Sequence, residues 1–297
     1  MKKLKLFYNP KSGNGNFPAR LDEFLEIFQA DYEISITRLI SIDLFSYFKK
    51  IEENKYDLFV IAGGDGTLNS IVNAMMKNNM NIPLAVIPTG TVNDFASALK
   101  LSNNFELLYD IISKDKYNKL DVAKVNNEYF INVCSGGFVT KIPHKTDNKL
   151  KNKLGKMAYY LKGIQEFPGF KSLPLRFESD NKIIEENIFM FLVINSHRAG
   201  GFKNINRNSS LNDGKFELLA IKYNKLYEMT NALIDLFINK NLSNKNIIYF
   251  DFQKMKIVPL KSDFDDYTDI DGEKGPDYPL EIKILEKSIN IYNNLID

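Results

Sequence analysis

Apolar residues recur along this chain in two rhythms, and the change comes near residue 120. Before it, short apolar runs alternate with amphipathic stretches. KLKLFYN reads as a strand centred on 5–9 and closed by PKSGNGN. In ARLDEFLEIFQA, residues Leu21, Phe24, Leu25, Ile27 and Phe28 fall at helical spacing. EISITRLI, with Ile34, Ile36 and Leu39, predicts a second strand, and LFSYFKKIEEN a second helix. DLFVIAG is a continuous apolar run ended by glycines, as in a strand buried on both faces. SIVNAMMKN is helical, IPLAVIPTG repeats the strand-then-loop pattern, and NDFASALKL follows as a helix for which Asn93 or Asp94 supplies the N-cap. Strand–helix alternation of this kind predicts βαβ units around a mostly parallel sheet.

Beyond residue 120 most segments alternate with a period of two. DVAKVNNEYFINVCSGG predicts a hairpin turning at Asn126-Asn127. A lysine-rich helical stretch follows at 147–166. Then come LPLRFESDNKIIEENIFMFLVIN, GKFELLAIKY, KNIIYFDFQKMKIVPL and LEIKILEKSINIYN, interrupted by one helix, KLYEMTNALIDLFI. The expected architecture is an α/β domain over 1–123 and a mainly antiparallel, sandwich-like β domain over 124–297. The last residues are free to return to the first domain. No linker composition marks the boundary, so the domains are expected to pack closely.

Composition narrows the function classes. The 297 residues carry 39 basic and 37 acidic side chains, a net charge of +2, which gives no basis for nucleic-acid binding. The single cysteine, Cys134, excludes an internal disulfide and any multi-cysteine zinc site, and its apolar surroundings predict a buried small hydrophobe. The N-terminus lacks the apolar region of a signal peptide, and no window reaches the roughly 20 apolar residues of a membrane span. A cytoplasmic protein, at most peripheral to the inner face of a membrane, is expected.

The candidate chemistry lies in loops. In IAGGDGTLN, Gly63, Gly64 and Gly66 bracket Asp65 between a buried strand and a helix start. Glycines there let backbone N–H groups approach an anion, and the helix dipole favours negative charge. A glycine-rich strand-to-helix turn can equally be a tight connection and nothing more. The loop matches neither the dinucleotide fingerprint nor a Walker A loop. A carboxylate in a phosphate loop implies a cation or a transferable proton. NPKSG (9–13) and PTGTVND (88–94) are two more small-residue loops that the topology sends to the same sheet edge, where the three can form one anion-binding rim.

With these loops the sequence resembles the diacylglycerol kinase catalytic family, which includes soluble bacterial lipid kinases and sphingosine and ceramide kinases. The matching stretches are YNPKSG, GGDGTLN, IPTGTVNDFA, INVCSGGF, HRAGGF, LNDGKFEL and DIDGEKG, in the family's order and over nearly the whole chain. GGDGT alone is shared with NAD kinases and phosphofructokinases, whereas its combination with GTVNDFA and a late DGE is not. The resemblance implies a phosphofructokinase- or NAD kinase-like first domain that binds ATP, a β-rich second domain, and lipid entry between them. It implies nucleotide contacts at Asn9, Ser12, Gly13, Thr37, Gly63, Gly64, Asp65, Gly66, Thr67, Leu68, Asn69 and Thr91. Glu273 matches the general base. Asp271 is expected to share that role or help hold Mg²⁺, and Asp65 to act through Mg²⁺ and water at the phosphates. A second Mg²⁺ site is implied at Asp213, with the carbonyls of Ser210 and Lys215; oxygen-only ligands suit such a hard cation. RNSSLND lacks the proline often found before this site.

The implied activity is ATP-dependent phosphorylation of a lipid hydroxyl, with diacylglycerol as the leading substrate. NAD kinase activity and a catalytically silent nucleotide- or lipid-binding protein are the alternatives. Leu150, Leu154, Met157 and Leu161, with Lys149, Lys153 and Lys156 on another face, suit peripheral membrane contact, though a solvated helix face accounts for them as well. His144 and His197 form no metal-ligand pair, and a turn role is expected for His197. A homodimer is the default oligomer.

Overall fold

The computed structural model describes residues 1–52, 55–141, 171–195, 198–199, 202–203, 210–264 and 266–294. The lysine-rich stretch at 147–166, His144, and His197, Gly200 and Gly201 of HRAGGF lie outside the described residues. The chain divides into two compact units: one of residues 1–122, 129–131 and 285–297, the other of 123–128 and 132–284.

The first unit opens with β1 (Lys2–Tyr8), a short 3₁₀ turn (Phe17–Arg20) and α1 (Leu21–Phe28). β2 (Tyr32–Arg38), α2 (Leu44–Phe48), β3 (Leu58–Gly63) and α3 (Asp65–Lys77) follow. β4 (Leu84–Pro88), α4 (Asp94–Ala98) and α5 (Phe105–Ser113) complete the alternation. The strands pair in parallel in the order β2-β1-β3-β4. All six residues of β3 are buried, as its unbroken apolar run predicts. On one side Phe24 stacks on Phe28 at 4.4 Å and meets Phe105 edge-on at 5.7 Å, over Leu4, Leu6, Val60 and Ile87. On the other, Phe7 packs against Phe48 at 5.3 Å and Phe59 at 5.2 Å. Each such buried ring stabilises the unit by on the order of 1.5–3 kcal/mol.

Chain order and strand order together place the functional edge. β1 has β2 on one side and β3 on the other, so successive crossovers leave it in opposite directions. The loops after β1 and β3 therefore diverge at their strands' C-terminal ends, which is the topological switch point where open α/β sheets bind ligands.

The remaining strands are β5 (Asn118–Val125), β6 (Glu128–Phe130) and β7 (Val133–Gly137), followed by one helical turn, α6 (Phe138–Lys141). Then come β8 (Leu173–Ser179), β9 (Lys182–Ile194), the small pair β10 (Arg198–Ala199) and β11 (Phe202–Lys203), and β12 (Phe216–Lys222). α7 (Leu226–Ile234) runs into a π-helical turn at 235–239. β13 (Ile247–Phe252), β14 (Lys254–Pro259), β15 (Thr268–Ile270), β16 (Glu273–Lys274) and β17 (Leu280–Ile291) close the chain.

Within the second unit the pairing is antiparallel, in the order β16-β15-β7-β9-β8-β14-β17, with β12 joining β9 to β13. β8 alternates buried and partly exposed residues and the first part of β17 alternates buried and exposed ones, the pattern of a sheet solvated on one face. Phe138 stacks on Phe189 at 4.7 Å in a core with Met190, Leu219, Leu233 and Leu236. Asn126 adopts φ 52°, the left-handed conformation expected of the predicted hairpin turn. Cys134 is fully buried, and burial pushes its thiol well above the ordinary range, as befits a packing residue. Among the described residues no helix is long and apolar enough to cross a membrane.

Candidate active site

The three small-residue loops of the first unit meet. Asn9 lies just beyond β1, and its amide donates to Thr67 Oγ1 at 3.2 Å across the switch point. Its side-chain oxygen accepts from Lys11 N at 3.0 Å, and Ser12 N donates back to the Asn9 carbonyl at 3.2 Å, which curls the 9–13 loop. Gly13 has φ +58°, and a Cβ there would lie 2.1 Å from the Thr89 carbonyl oxygen. The loops after β3 and β4 touch backbone to backbone. A Cβ on Gly90 would lie 2.5 Å from Gly64 Cα, so only glycine allows this approach.

Two side chains brace the rim. Asn93 or Asp94 was expected to cap α4, yet the Asn93 side chain turns back to Gly90, accepting from the Gly90 N–H at 3.0 Å and donating to its carbonyl at 2.7 Å. The cap comes instead from Asp65. Its two oxygens accept from Asp94 N at 3.0 Å and Phe95 N at 3.2 Å, at the first turn of α4. A charged acceptor at a helix N-terminus satisfies orphan donors and complements the dipole. The loop carboxylate, expected at the phosphates, thus ties the 63–67 loop to the 88–94 loop. No sequence spacing signals a cap supplied from 29 residues away. Asp65→Ala should cost about 1–2 kcal/mol of stability, the range for a lost cap. It should also weaken nucleotide binding, readable by thermal unfolding and by titration with ATP.

What the rim leaves open is the N-terminus of α3. Gly64 is its N-cap and offers no side-chain acceptor, so the N–H groups of Asp65, Gly66 and Thr67 have no partner within the helix. This is a cradle for a polyanion. Beside it lies a cavity of about 410 Å³ lined by Gly13, Asn14, Phe17, Arg20, Thr89 and Thr91. Arg20 stacks on Phe105 at 4.1 Å and is held by Glu23 at 2.8 Å, which raises its pKa further. Neither Phe17 nor Arg20 belongs to a loop motif, and sequence reasoning passed over both.

The other residues expected at the nucleotide divide. Gly63 ends β3, and its lack of a Cβ leaves room for Thr67, whose own Cβ would be 2.5 Å away. Leu68 and Asn69 are buried, and Asn69 Oδ1 accepts from Asn73 at 2.8 Å. They support the loop from beneath. Thr37, the penultimate residue of β2, is only 9% exposed, with its hydroxyl 2.8 Å from that of Tyr47.

The second unit carries the DGE sequence as a hairpin. Ile270 pairs with Glu273, so Asp271 and Gly272 form the two-residue turn between β15 and β16. Their φ values, 50° and 91°, are those of a type I′ turn. Asp271 is buried. Its Oδ1 accepts from Asn132 N at 3.0 Å and Val133 N at 2.7 Å, and its own N–H donates to the Val133 carbonyl at 2.8 Å. It had been expected to help move a proton or hold a metal; here it anchors the turn to the start of β7. Glu273, two residues on, is exposed at the first position of β16.

Comparison with known proteins identifies the family. Residues 3–125 match the model of the diacylglycerol kinase catalytic domain, and 132–293 that of the YegS C-terminal NAD kinase beta sandwich-like domain. The chain is 33% identical over 294 residues to a diacylglycerol kinase of Staphylococcus aureus (strain MRSA252), covering 98% of this chain and 92% of that protein. The chain belongs to the diacylglycerol kinase catalytic family. A crystal structure of a diacylglycerol kinase from Bacillus anthracis str. Sterne is similar at a TM-score of 0.78 and 25% identity, over 99% of this chain and 97% of that one. As a member of this family the protein is a lipid kinase, built on a parallel α/β part and an antiparallel β domain.

The Asp213 segment of this lipid kinase is a tight turn. Gly214 has φ 77°, Asp213 Oδ1 accepts from Lys215 N at 3.0 Å, and Ser210 Oγ donates to Asn212 Oδ1 at 2.7 Å. Lys215 sends its ammonium away to Asp251 at 2.6 Å, which raises its pKa. Asp213 Oδ2 has no protein partner among the described residues. A carboxylate oxygen left over in a tight turn, with the neighbouring ammonium turned elsewhere, fits a hard cation that keeps part of its water shell.

Proposed function

We propose that this enzyme transfers the γ-phosphoryl group of ATP to the free hydroxyl of diacylglycerol, giving phosphatidic acid and ADP. The observation that carries the reading is the Gly64–Gly90 backbone approach, which leaves the first N–H groups of α3 open to a polyphosphate. Asn9, Ser12, Gly13, Gly63–Thr67 and Thr91 hold the nucleotide. The lipid oxygen attacks the γ-phosphorus, the bond from that phosphorus to the β-γ bridging oxygen breaks, and Glu273 takes the hydroxyl proton. Little covalent chemistry is asked of the protein; positioning and charge stabilisation lower the barrier. Mg²⁺ bound with ATP would offset charge on the transferring phosphate. ATP as donor places the reaction in the cytoplasm, at the membrane face that presents the lipid.

Asp213, with the carbonyls of Ser210 and Lys215, is the proposed site of a second, structural Mg²⁺. Asp213→Ala should raise the Mg²⁺ concentration for half-maximal rate by about tenfold, as for loss of one strong ligand interaction of ~1.4 kcal/mol. It should also remove any Mg²⁺-dependent rise in melting temperature. Unchanged Mg²⁺ titrations by both readouts would take Asp213 out of the metal site.

The function is tested by radiolabelled phosphate transfer from Mg²⁺-ATP to diacylglycerol, sphingosine or ceramide in mixed micelles, and to NAD⁺ in solution. Label in phosphatidic acid is the expected result. Label in NADP⁺ would move the enzyme to the NAD kinase side. Nucleotide binding without transfer to any acceptor would make it a silent member of the scaffold.

A further inference from the structure

A buried charge that the proposed reaction does not use lies beside the hairpin that carries Glu273. Asp266 stands two residues before β15, and none of its side chain is exposed. Oδ2 accepts from the Gly137 N–H, at the end of β7, at 3.1 Å. Oδ1 faces the ammonium of Lys141, the last residue of α6, at 3.2 Å; the lysine side chain is a third exposed. The next residue, Tyr267, donates its hydroxyl to the Thr140 carbonyl in the same helical turn. The approach to β15 is therefore pinned to the β7–α6 corner at three points.

Groups facing this carboxylate come from each neighbouring element. Lys141 projects from α6. Tyr278, from the segment after β16, also faces it, and the carboxylate raises the pKa of that phenol. The Tyr278 hydroxyl is buried without a hydrogen-bond partner among the described residues, close over Gly136, where a Cβ would lie 2.5 Å from it. Burial raises the Asp266 carboxyl, while Lys141 and the two backbone N–H groups at Tyr267 and Gly137 pull it down. An apolar residue of similar volume would fill the same space without the cost of desolvating a charge. What it could not supply is the hydrogen bond to the Gly137 N–H together with the ion pair to Lys141.

Those contacts matter because the hairpin is short. β15 has three residues, laddered to β7, while the two residues of β16 are laddered to β15 alone among the described residues, so the strand that carries Glu273 is held only through β15. Asp271 anchors its turn, and Asp266 anchors its entry. We propose that Asp266, through its ion pair with Lys141, is a positioning residue for the Asp271–Gly272–Glu273 turn. The pair holds the entry to β15 so that the Glu273 carboxylate is presented in a single orientation. The inference rests on the proposed role of Glu273 as base.

The test uses the full chain with Asp266→Asn, Lys141→Met, Lys141→Arg and the double variant Asp266→Asn/Lys141→Met. Asp266→Asn keeps an oxygen for Gly137 but gives up the charge. Lys141→Met, at a partly exposed site, tests the pair should Asp266→Asn fail to fold. Each of these two is expected to lower kcat about tenfold or more, the scale of a small misplacement of a catalytic group. KM for ATP should stay within about twofold, as for an interaction that does not bind the nucleotide. Lys141→Arg should recover most of the rate, and the double variant should be no worse than the more impaired single, as for partners in one interaction. Amide hydrogen exchange over 268–275 should quicken in the two damaging variants and not in Lys141→Arg. Unchanged kcat, losses that add in the double variant, or failure of arginine to rescue would each overturn the proposal. If the wild-type protein phosphorylates no lipid, the functional reading fails while the exchange measurement still decides the clamp; unaltered exchange over 268–275 would then overturn it.

Discussion

Glu273→Gln is expected to lower phosphoryl transfer to lipid by about 10²–10⁴-fold, the range for removing a positioned general base. The glutamine keeps the size and the hydrogen-bonding reach of the side chain and loses only its capacity to take a proton. Glu273 is exposed on β16 with no buried partner among the described residues, so the melting temperature should stay near that of the wild type. Nucleotide affinity should also hold, because the loops around Gly64 and Gly90 are untouched. The loss would therefore fall on kcat, with KM for ATP near its original value. A variant that turned over at the wild-type rate would remove Glu273 from the mechanism. The contrast with Asp271 sharpens the test. Asp271→Ala would leave the Asn132 and Val133 N–H groups without their acceptor, and the change should show first as lost stability.

Gly90→Ala should do the reverse and strike nucleotide binding. The new Cβ would lie 2.5 Å from Gly64 Cα and 2.6 Å from Asn93 Oδ1. The first neighbour is backbone and cannot rotate away, so the loops after β3 and β4 have to part. Overpacking of this kind costs about 1–3 kcal/mol. Parting the loops also strains the Asp65 contacts to α4 and disturbs the N–H cradle of α3. The affinity for Mg²⁺-ATP is expected to fall by at least about tenfold, since ~1.4 kcal/mol is a factor of ten. Isothermal titration checks this directly, and wild-type affinity would show that the Gly64–Gly90 approach is not needed to hold the nucleotide.

Much of the architecture was legible from periodicity because burial imposes it locally. The β3 run LFVIAG reads as a doubly buried strand in the sequence and is one in the structure. The alternation of β8 and β17 announces a half-solvated sheet in the same way. The glycine loops were legible too, since tight backbone approach restricts composition. The partners of polar side chains were harder to read. Asn93 sits where a helix cap belongs, yet it closes a ring with Gly90. Asp65 looks like a ligand of something bound and caps a helix that follows a different strand. Thr37 matched a nucleotide contact by position, and its hydroxyl is bonded to Tyr47. Asp266 and Lys141 carried no motif at all.

The amino-acid sequence by itself determined the parallel-then-antiparallel order of elements, the three loops at one sheet edge, and the family that joins GGDGT to a late DGE. Hydrophobic period, glycine placement and motif order are properties of neighbouring residues, and they survive in one dimension. Only the tertiary structure decided that Gly64 meets Gly90, that Asp65 serves α4, and that Asp271 and Asp266 are buried anchors while Glu273 stands exposed. A carboxylate's role depends on which donors reach it and on how much water it keeps. Those donors come from residues 29 to 139 positions away in the chain.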